Sequence, residues 1–431
     1  MKFYILTFGC KVNQCESESI CESMAENGFA LCESYEQADI VIINSCTVTA
    51  ESDRKLHQTV NKIRKNNQNC ILVLAGCMPQ ASPEAAAKIP GIDIVLGNTD
   101  KNSIPTKIKN FLIKNHTILE NKIQKSEPVS FISLSGRTRA FLKIEDGCNQ
   151  FCSYCIIPFA RGRVRSKPLE EIKSEIEKLA LQGYKEVVLV GINLSCYGID
   201  IGCSLVDAVK TVCSITGIER VRLGSLEPEL LTDEIIYNLS LESKLCPQFH
   251  LSLQSGCDEI LNRMRRKYTA EEYLKIVANI RKFFKNSTIT TDLMVGFPGE
   301  SEENFQESLN LIEKVQFLKV HVFPYSKRPG TLAADMPNQI RKSIKSERVK
   351  KVIEISNQIT NKVLNGFVGQ KMAVLYETID ENGFYEGYTP NYIFVKSMYN
   401  KNICGKILNI RIEKACENFC LGGISNVNTT R

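Results

Sequence analysis

The sequence predicts an α/β protein with a doubly wound parallel-sheet domain, a partial (βα)6 TIM-type barrel and a small antiparallel β-barrel. At 431 residues, the chain is longer than one ordinary hydrophobic core accommodates. Continuous apolar runs alternate with polar segments of helical length, a pattern typical of parallel sheets. Closely spaced strand-like runs near the end favour an antiparallel barrel. The predicted domains are 1–115, 139–335 and 369–431, separated by a linker (116–138) and a helical connector (336–368).

The N-terminal strands are predicted from three apolar runs, FYILTF (3–8), ADIVIIN (38–44) and CILVLAG (70–76). The polar segments between them are long enough for crossover helices. Six further strand-like runs, each separated by a helical pattern, predict the central barrel: 139–145, 186–192, 220–226, 249–254, 288–297 and 319–326. A complete TIM barrel has eight such units, so this barrel is expected to be partial and open.

Composition excludes some classes of protein. No run of roughly 18 apolar residues is present, so a membrane span is not expected. The start of the chain does not resemble a signal peptide, and we expect a cytoplasmic protein. The net charge of +6 is a mild excess and only weak evidence for an anionic partner.

Three thiols lie close together in the segment DGCNQFCSYC. Cys148, Cys152 and Cys155 form a C-x3-C-x2-C array directly after the first predicted barrel strand. Three thiolates on one loop can hold three irons of a 4Fe-4S cluster and leave the fourth iron open. The position agrees, because barrel active sites lie at the carboxyl ends of strands. A zinc site is the alternative, although zinc usually has a fourth ligand at comparable spacing.

Three further cysteines each follow one of the N-terminal strands. Cys10, Cys46 and Cys77 stand in the segments FGCKVNQ, NSCTVT and AGCMPQ. Loops after parallel strands lie along one edge of a sheet, where doubly wound folds bind ligands. We therefore expect these thiols to converge into a second three-thiol site. Burial as small apolar residues is the alternative.

The C-x3-C-x2-C array resembles the signature of the radical S-adenosylmethionine (SAM) superfamily. With the flanking domains, nearly the whole chain is similar to the methylthiotransferases, and the final domain resembles a TRAM domain. The segments that carry this resemblance are GCKVNQ, NSCTVT, GCMPQ, DGCNQFCSYCIIPFARGRVRS, LSLQSG, DLMVGFPGE and FPYSKRPGT. The run Lys11-Val12-Asn13-Gln14 is most similar to the branch that modifies threonylcarbamoyladenosine in tRNA.

The resemblance implies two 4Fe-4S clusters with different roles. The barrel cluster binds SAM and, after reduction, yields a 5′-deoxyadenosyl radical that abstracts hydrogen from adenosine C2. The N-terminal cluster donates sulfur, and a second SAM supplies the methyl group. The implied product is the 2-methylthio derivative of threonylcarbamoyladenosine next to the anticodon. A flavodoxin- or ferredoxin-like electron donor and a sulfur source are implied as partners.

Polar residues around the barrel rim are candidates for the SAM-binding shell. Tyr154 precedes the third loop cysteine, and the resemblance places it near the adenine of SAM. The remaining candidates follow or end the second to fifth barrel strands: Gly191, Asn193, Ser225, Glu227, Gln254, Ser255 and Asp292. Any one of them could merely end a strand or cap a helix, but their recurrence at one rim favours a shared site.

Basic and aromatic residues supply candidates for RNA contact. Two basic runs are expected to face phosphates of an anticodon loop: Arg161, Arg163, Arg165 and Lys167, and then Arg263, Arg265, Arg266 and Lys267. Three aromatic residues of the final domain are expected to stack on bases: Tyr388, Tyr392 and Phe394. A solvated charged face and an aromatic core are the respective alternatives. The histidines form no evident catalytic constellation and receive no role: His57, His116, His250 and His321.

Two other functions remain compatible with the sequence. One is a methylthiotransferase that acts on isopentenyladenosine in tRNA or on an aspartate of a ribosomal protein. The other is a non-catalytic iron–sulfur protein that binds RNA or senses redox state. The identity of the modified product that is lost when the gene is removed distinguishes the alternative substrates. A non-catalytic iron–sulfur protein would not cleave SAM.

Overall fold

The computed structural model describes residues 1–47, 50–98, 101–114, 118–120 and 138–423. Three domains follow one another along the chain. No helix among these residues is long and apolar enough to cross a membrane.

The N-terminal domain is a six-stranded parallel sheet in the order β2-β1-β3-β4-β5-β6. Its strands are β1 (Lys2–Thr7), β2 (Ala30–Leu31), β3 (Ile40–Ser45), β4 (Ile71–Gly76), β5 (Ile94–Leu96) and β6 (Ile118–Glu120). Its helices are α1 (Lys11–Glu26), α2 (Ala50–Asn66), α3 (Cys77–Ala81), α4 (Pro83–Ala87) and α5 (Ile104–Lys114). Helices cover both faces, so β3 and β4 are buried over their whole length.

The N-terminal sheet extends into the segment that the sequence assigned to the linker. Strand β6 pairs in parallel with β5, so residues 118–120 belong to the sheet. Residues 121–137 of the expected linker lie outside the described residues.

The central domain is a partial barrel made of two parallel sheets, in the orders β11-β10-β7 and β12-β13-β14-β15. Its strands are β7 (Arg139–Lys143), β8 (Glu145–Asp146), β9 (Arg165–Ser166), β10 (Glu186–Val190), β11 (Arg220–Leu223), β12 (Ser225–Leu226), β13 (Gln248–Leu251), β14 (Thr288–Val295) and β15 (Lys319–Pro324). Gly224 divides the third predicted strand into β11 and β12, which pair with different sheets. The short strands β8 and β9 pair antiparallel beside the cysteine loop.

The helices of the central domain, except the first of them, pack on one continuous apolar core. They are α6 (Ile157–Arg161), α7 (Leu169–Leu181), α8 (Leu205–Ser214), α9 (Asp233–Ser240), α10 (Asp258–Arg263), α11 (Ala270–Phe283) and α12 (Glu302–Val315). Three of them begin with a capping box, in which the N-cap hydroxyl and a side chain three residues later satisfy each other's backbone amides. The N-caps are Ser204, Thr269 and Ser301.

No strand pairing joins β7 to β15 within the described part of the chain, so the barrel is open along this side. Helix α1 of the N-terminal domain packs there, placing Val12 and Cys15 against Val188 and Val190 of β10. The N-terminal domain therefore forms part of the barrel wall.

The C-terminal domain covers the amino ends of the barrel strands. Arg220 Nη1 donates to Tyr388 O at 3.0 Å, and Arg222 Nη1 donates to Pro390 O at 2.9 Å. Thr288 Oγ1 donates to Asn391 O at 2.5 Å. These contacts close the barrel at the end opposite the cysteine loop.

The last two elements of the architecture are a long helix and a closed barrel. Helix α13 (Lys342–Asn365) occupies the predicted connector and packs beside β15. The closed barrel has the order β16-β17-β18-β20-β19, with one parallel pair, β18–β20, among antiparallel ones. Its strands are β16 (Lys371–Ile379), β17 (Phe384–Tyr388), β18 (Phe394–Met398), β19 (Ile407–Ala415) and β20 (Cys420–Gly423). The predicted fold class is confirmed.

Candidate functional site

The loop after β8 places three cysteine thiols against one cavity. Cys148, Cys152 and Cys155 line a space of about 270 Å³ at the carboxyl ends of the barrel strands. Asn193 Nδ2 donates to Cys148 Sγ at 3.6 Å, and Arg266 Nη1 donates to Cys152 Sγ at 3.4 Å. Donors beside sulfur favour its anionic form, so these surroundings suit thiolates that bind a metal.

The turn into this loop requires a glycine. Gly147 has φ +88°, in the left-handed region, and a Cβ atom there would overlap the carbonyl oxygen of Arg163. Further along, Ser153 N donates to Met264 O at 3.0 Å. The loop that carries Cys148 is therefore fixed on both sides by barrel backbone.

Burial changes the acidity of the loop thiols. It raises the pKa of Cys148 to about 11 and the pKa of Cys155 to about 12. It also raises the pKa of Cys152, although the Arg266 charge opposes this shift. Because metals bind thiolate, metal binding at this loop must release protons.

Glu145 is a buried carboxyl group beside the loop, and it was not predicted from the sequence. Its Oε2 accepts a hydrogen bond from Asn193 N at 2.7 Å. Burial raises the pKa of Glu145 to about 8, although the hydrogen bond from Asn193 N lowers it. Glu145 thus positions the residue that donates to Cys148. The only signal in the sequence is that an acidic residue ends the first predicted barrel strand.

The N-terminal cysteines converge at the carboxyl ends of three adjacent strands, β1, β3 and β4. Cys10 precedes α1, Cys46 follows β3 and Cys77 begins α3. Asn13 Oδ1 lies 3.8 Å from Cys10 Sγ and 4.0 Å from Cys77 Sγ. Asn13 Nδ2 donates to Ser45 O at 3.0 Å, next to Cys46. One asparagine therefore ties together the loops that carry the three thiols.

A buried network of charges connects the two cysteine sites. Arg161 Nη2 donates to Asn13 Oδ1 at 2.7 Å, and Arg161 Nη1 pairs with Glu16 at 2.7 Å and with Asp146 at 3.1 Å. Lys143 Nζ pairs with the same two carboxylates, at 2.8 and 2.7 Å. The Arg161 side chain is fully buried. Since Asp146 lies just before the cysteine loop, this network holds the two sites in a fixed relation.

The carboxylates of this network are stabilised in their charged form. Burial by itself would raise the pKa of Glu16, but the charges of Arg161, Lys101 and Lys143 hold it well below its usual range. Lys143 and Arg161 similarly outweigh burial at Asp146 and bring its pKa to about 2. The network is therefore ionic at neutral pH.

A cavity of about 880 Å³ lies between the three domains. Cys10 opens onto it from the N-terminal domain, and inward-facing residues of β13, β14 and β15 form its barrel side. Ser225 and Asp292 line both this cavity and the one beside the loop cysteines. A molecule in the larger cavity can therefore approach both cysteine sites.

Comparison with known proteins agrees with this arrangement. The model of the radical SAM superfamily matches residues 142–312, and that of uncharacterized protein family UPF0004 matches residues 2–97. A Thermotoga maritima protein named threonylcarbamoyladenosine tRNA methylthiotransferase MtaB is 38% identical, with 96% of this chain and 94% of the relative covered. The chain belongs to the radical SAM methylthiotransferase family.

Other relatives carry two different substrate names. The Bacillus subtilis protein with the MtaB name is 36% identical, covering 95% of this chain and 93% of the relative. A Clostridium botulinum (strain Hall) protein named tRNA-2-methylthio-N(6)-dimethylallyladenosine synthase is 35% identical, covering 98% of this chain and 96% of the relative. Overall identity therefore hardly separates the two branches of the family.

Two solved structures share the fold of this methylthiotransferase. TsrM from Kitasatospora setae, a radical SAM methyltransferase with cobalamin and a [4Fe-4S] cluster bound, superposes with TM-score 0.58 at 13% identity and covers 77% of each chain. The cobalamin-dependent enzyme OxsB gives TM-score 0.53 at 11% identity and covers 83% of this chain and 57% of that one. At these identities the likeness concerns the fold alone.

The residues of the smaller cavity fit the iron–sulfur cluster and SAM that the family implies. Two buried oxygens of its lining residues, Asn193 Oδ1 and Gln254 Oε1, have no hydrogen-bond partner. The amine and hydroxyl groups of SAM are donors of the kind such oxygens require. Zinc, the alternative, needs its ligands around one ion, and among the described residues no group of three Cys, His, Asp or Glu is arranged in this way.

The expected SAM-binding residues divide into two groups. Those that line the smaller cavity are Tyr154, Asn193, Ser225, Glu227, Gln254 and Asp292. Gly191 instead lines the larger cavity. Ser255 is fully buried, where its hydroxyl accepts from Cys257 N at 3.2 Å, so it shapes a turn rather than facing the cavity. The assignment of Ser255 to the SAM shell is therefore withdrawn.

Three of the basic residues assigned to RNA are committed to other partners. Arg161 belongs to the buried network described above. Lys167 pairs with Glu175 at 2.7 Å, with both side chains nearly buried. Arg266 pairs with Glu227 in the wall of the smaller cavity. A phosphate would have to displace a buried carboxylate at each position, so these three assignments are wrong.

The other basic residues differ in how accessible they are. Arg163, Arg265 and Lys267 are exposed. Arg165 Nη1 donates to the carbonyl oxygens of Arg161 and Arg163 at 2.8 and 2.9 Å. Arg263 is partly buried, with Glu259 at 3.9 Å. The exposed residues thus remain the better candidates for RNA contact.

The aromatic residues of the C-terminal domain face inward. Tyr388 and Tyr392 stack with ring centroids 4.6 Å apart, and Phe394 lies 5.1 Å from Tyr388. The guanidinium groups of Arg139 and Arg222 lie over Tyr392 at 5.5 and 4.7 Å. The three rings therefore line the larger cavity and contact the central barrel, instead of forming an open surface on the C-terminal domain.

Two inward-facing histidines of the barrel were not predicted from the sequence to take part in the site. His250 and His321 line the larger cavity with ring centroids 5.8 Å apart. Asp292 Oδ2 lies 3.4 Å from His250 Nε2. The signal available in the sequence was the alternation of polar and apolar residues in β13 and β15. The polar residues stand at every second position, and every second side chain of a barrel strand points into the barrel.

Proposed function

We propose that this protein converts N6-threonylcarbamoyladenosine next to the anticodon of tRNA into its 2-methylthio derivative. The observation that carries the proposal is that both cysteine sites open onto connected cavities. Cys10 lines the larger cavity, which meets the cavity of the loop cysteines at Ser225 and Asp292. A volume of about 880 Å³ is in the range that holds a nucleoside with a substituent.

The two cysteine sites have different proposed tasks. Cys148, Cys152 and Cys155 hold a SAM-binding 4Fe-4S cluster, and Cys10, Cys46 and Cys77 hold a second 4Fe-4S cluster. When bound, these groups and SAM supply the radical, the sulfur and the methyl group. The protein's own residues orient and enclose the reactants. Asn193 and Gln254 offer acceptors to SAM, while α1 and the C-terminal domain exclude water from the barrel interior.

The choice of substrate branch rests on two kinds of support. The run from Lys11 to Gln14 is most similar to the threonylcarbamoyladenosine branch, and two of the relatives carry that substrate in their names. The alternative substrate is isopentenyladenosine, which appears in the names of relatives at 35 and 36% identity.

The chemistry implies further partners. SAM cleavage consumes an electron, so we propose a flavodoxin- or ferredoxin-like donor. Sulfur leaves with each product, so a sulfur source must restore the N-terminal site. The exposed residues Arg163, Arg265 and Lys267 are the proposed phosphate contacts. Because tRNA is the proposed substrate, we also propose that the protein works in the cytoplasm.

The proposed function is tested by mass spectrometry of tRNA nucleosides from cells with and without the gene. We expect 2-methylthio-N6-threonylcarbamoyladenosine to disappear and its unthiolated precursor to accumulate. The wild-type gene should restore the product, whereas the Cys152→Ala gene should not. Loss of the isopentenyl product instead would reassign the substrate, and an unchanged tRNA profile would refute the proposal.

A further inference from the structure

The larger cavity contains two lysines without counter-ions. Lys11, the first residue of α1, and Lys319, the first residue of β15, both line it. Neither forms a hydrogen bond or an ion pair with any described residue. Asp292 is the one carboxylate among the described residues that line this cavity, and it lies beside His250 at the junction with the smaller cavity. The region around the lysines is therefore positively charged.

The neighbouring histidine does not change this balance. Partial enclosure lowers the pKa of His321, Asp292 raises it, and the charges of His250, Lys319 and Lys11 lower it further. The net shift is downward, so the His321 imidazole is neutral at neutral pH. His321 and both lysines line the same cavity. The positive charge here thus resides on two lysines that face one space.

The other cations near this cavity are neutralised. Arg139 Nε pairs with Glu377 at 2.8 Å, and Arg222 Nε pairs with Glu186 at 2.8 Å. Both guanidinium groups also pack on Tyr392. This contrast indicates that the barrel compensates the charges it uses for structure and leaves the two lysines for a ligand.

We propose that Lys11 and Lys319 bind the carboxylate of the adenosine's N6 substituent and thereby select threonylcarbamoyladenosine over isopentenyladenosine. This inference rests on the proposed function and adds the residues that read the substrate. The threonyl group carries a carboxylate that is ionised at neutral pH, whereas an isopentenyl group is apolar. Ammonium–carboxylate hydrogen bonds are among the stronger polar contacts in proteins. An apolar substituent would leave the lysines desolvated and unpaired, which penalises the wrong substrate.

A backbone phosphate of the RNA is the other anion that two lysines could bind. The two sources differ in what they predict. A phosphate contact strengthens binding of every RNA equally, whereas a carboxylate contact strengthens binding only of RNA with the threonylcarbamoyl group. The experiment must therefore compare RNAs that differ only at the modified adenosine.

The test uses the full-length protein with its clusters and three anticodon stem-loop RNAs. The RNAs carry threonylcarbamoyladenosine, isopentenyladenosine or unmodified adenosine at the same position. Binding is measured by fluorescence anisotropy at fixed salt for the wild type and for Lys319→Gln. We expect Lys319→Gln to weaken binding of the threonylcarbamoyl RNA by about tenfold, the worth of one charge-assisted hydrogen bond. Binding of the unmodified RNA should be unchanged, and binding of the isopentenyl RNA should be strengthened, because its apolar substituent no longer desolvates an unpaired charge.

Three variants control for other causes. Lys319→Arg keeps the charge and should keep most of the preference. Lys319→Glu should exclude the threonylcarbamoyl RNA while still binding the isopentenyl RNA. Lys350→Gln removes an exposed lysine on α13, away from both cavities, and should bind all three RNAs like the wild type. Lys11→Gln is informative only after its iron content is shown to be normal, because it adjoins Cys10.

The outcomes separate this inference from the proposed function. Equal weakening of all three RNAs by Lys319→Gln would assign the lysine to phosphate and overturn the inference. No weakening of any RNA would overturn it as well. In both cases the wild type could still methylthiolate the threonylcarbamoyl RNA, and the proposed function would stand. A wild type that acts only on the isopentenyl RNA would overturn both.

Discussion

The two cysteine sites differ in how the chain builds them. Cys148, Cys152 and Cys155 lie on one loop, whose conformation is fixed by a glycine turn and by barrel backbone. The N-terminal thiols come from three separate loops that only the parallel sheet brings together. One site is thus set by local spacing and the other by topology. A motif written in one short segment is easier to detect in a sequence than one distributed over a domain.

The sites also differ in what supports them. The barrel thiols receive hydrogen bonds from Asn193 and Arg266, both of the barrel itself. The N-terminal thiols are arranged around Asn13, which is held by Arg161 from the barrel. The N-terminal site therefore depends on its neighbour, while the barrel site does not show the reverse dependence.

The largest expected effect comes from removing one thiol from each site. Cys152→Ala should abolish both SAM cleavage and the methylthio product. Cys46→Ala should abolish the product but leave SAM cleavage to 5′-deoxyadenosine, because the barrel site is intact. Both compounds are quantified by mass spectrometry in the same reaction, together with bound iron.

The matched control is Cys404→Ala, at an exposed cysteine that lines neither cavity. It should retain product and iron. If Cys46→Ala lost SAM cleavage as completely as Cys152→Ala, the barrel site would not be independent and the comparison would fail.

Much of the fold follows from local pattern. The long apolar runs that become β3 and β4 are predictable because buried parallel strands are hydrophobic throughout. The short strand β6 is not, since three residues carry little periodic information. The packing of α1 into the open side of the barrel is also not predictable. It depends on two surfaces from distant parts of the chain meeting in space.

The candidate site shows the same division. The cysteines are predictable because their chemistry and spacing are written in the sequence. The fate of charged residues is not, since Arg161 and Arg163 stand two positions apart in one basic run, yet one is buried and the other exposed. Which of them meets a carboxylate depends on α1, far away in sequence. The sequence shows which residues are charged, but only the folded structure shows which of them pair with a carboxylate of the protein.

The next largest effect should come from breaking the charge network between the sites. Arg161→Met removes one of the two cations that Glu16 and Asp146 share, leaving them Lys143, and losing one member of a buried ion pair costs about 3–5 kcal/mol. The free energy of unfolding should fall by that amount in denaturant titration. Product formation should fall more than SAM cleavage, because Asn13 loses its support.

Arg163→Met is the control for this change. It removes an exposed guanidinium that lies 4.6 Å above the Phe151 ring, and it should change stability by less than about 1 kcal/mol. Equal losses of product and SAM cleavage in Arg161→Met would show that the network supports both sites alike.

A smaller loss of stability is expected from replacing the glycine at the turn into the barrel cysteine loop. Gly147→Ala places a residue at φ +88° and drives its Cβ into the carbonyl oxygen of Arg163. Gly183→Ala is matched in backbone, with φ +89°, but has no atom within 4 Å of the added Cβ. Left-handed backbone alone costs roughly 1–2 kcal/mol. The overlap should cost Gly147→Ala about 1–3 kcal/mol more.

Bound iron gives the readout that links this turn to the site. Gly147→Ala should lose iron from the barrel loop, whereas Gly183→Ala should keep it. Equal iron content in the two variants would mean that the cysteine loop still binds iron when its turn is displaced. The glycine turn would then not be needed to hold the three thiols in place.

The last comparison is between two buried glutamates, one beside each site. Glu16 is surrounded by cations, so its pKa lies well below the usual range, and its charge stabilises the fold at neutral pH. Burial raises the pKa of Glu145 from its ordinary 4.5 to about 8, so the folded protein keeps a proton there that the unfolded chain releases. Between pH 4.5 and about pH 8, the contribution of Glu145 to the free energy of unfolding therefore declines by about 1.4 kcal/mol for each pH unit that the pH rises. Glu145→Gln removes this decline, and Glu16→Gln lowers stability at neutral pH.

Denaturant titrations from pH 5 to 8.5 measure both changes in the free energy of unfolding. Relative to wild type, Glu145→Gln should become steadily more stable as pH rises and level off above about pH 8. The exposed Glu313→Gln on α12 serves as control and should show a constant offset. A constant offset for Glu145→Gln as well would mean that this carboxyl is ionised in the folded protein. The barrel site would then accommodate buried charge as the network around Glu16 does, and the electrostatic difference between the two sites would disappear.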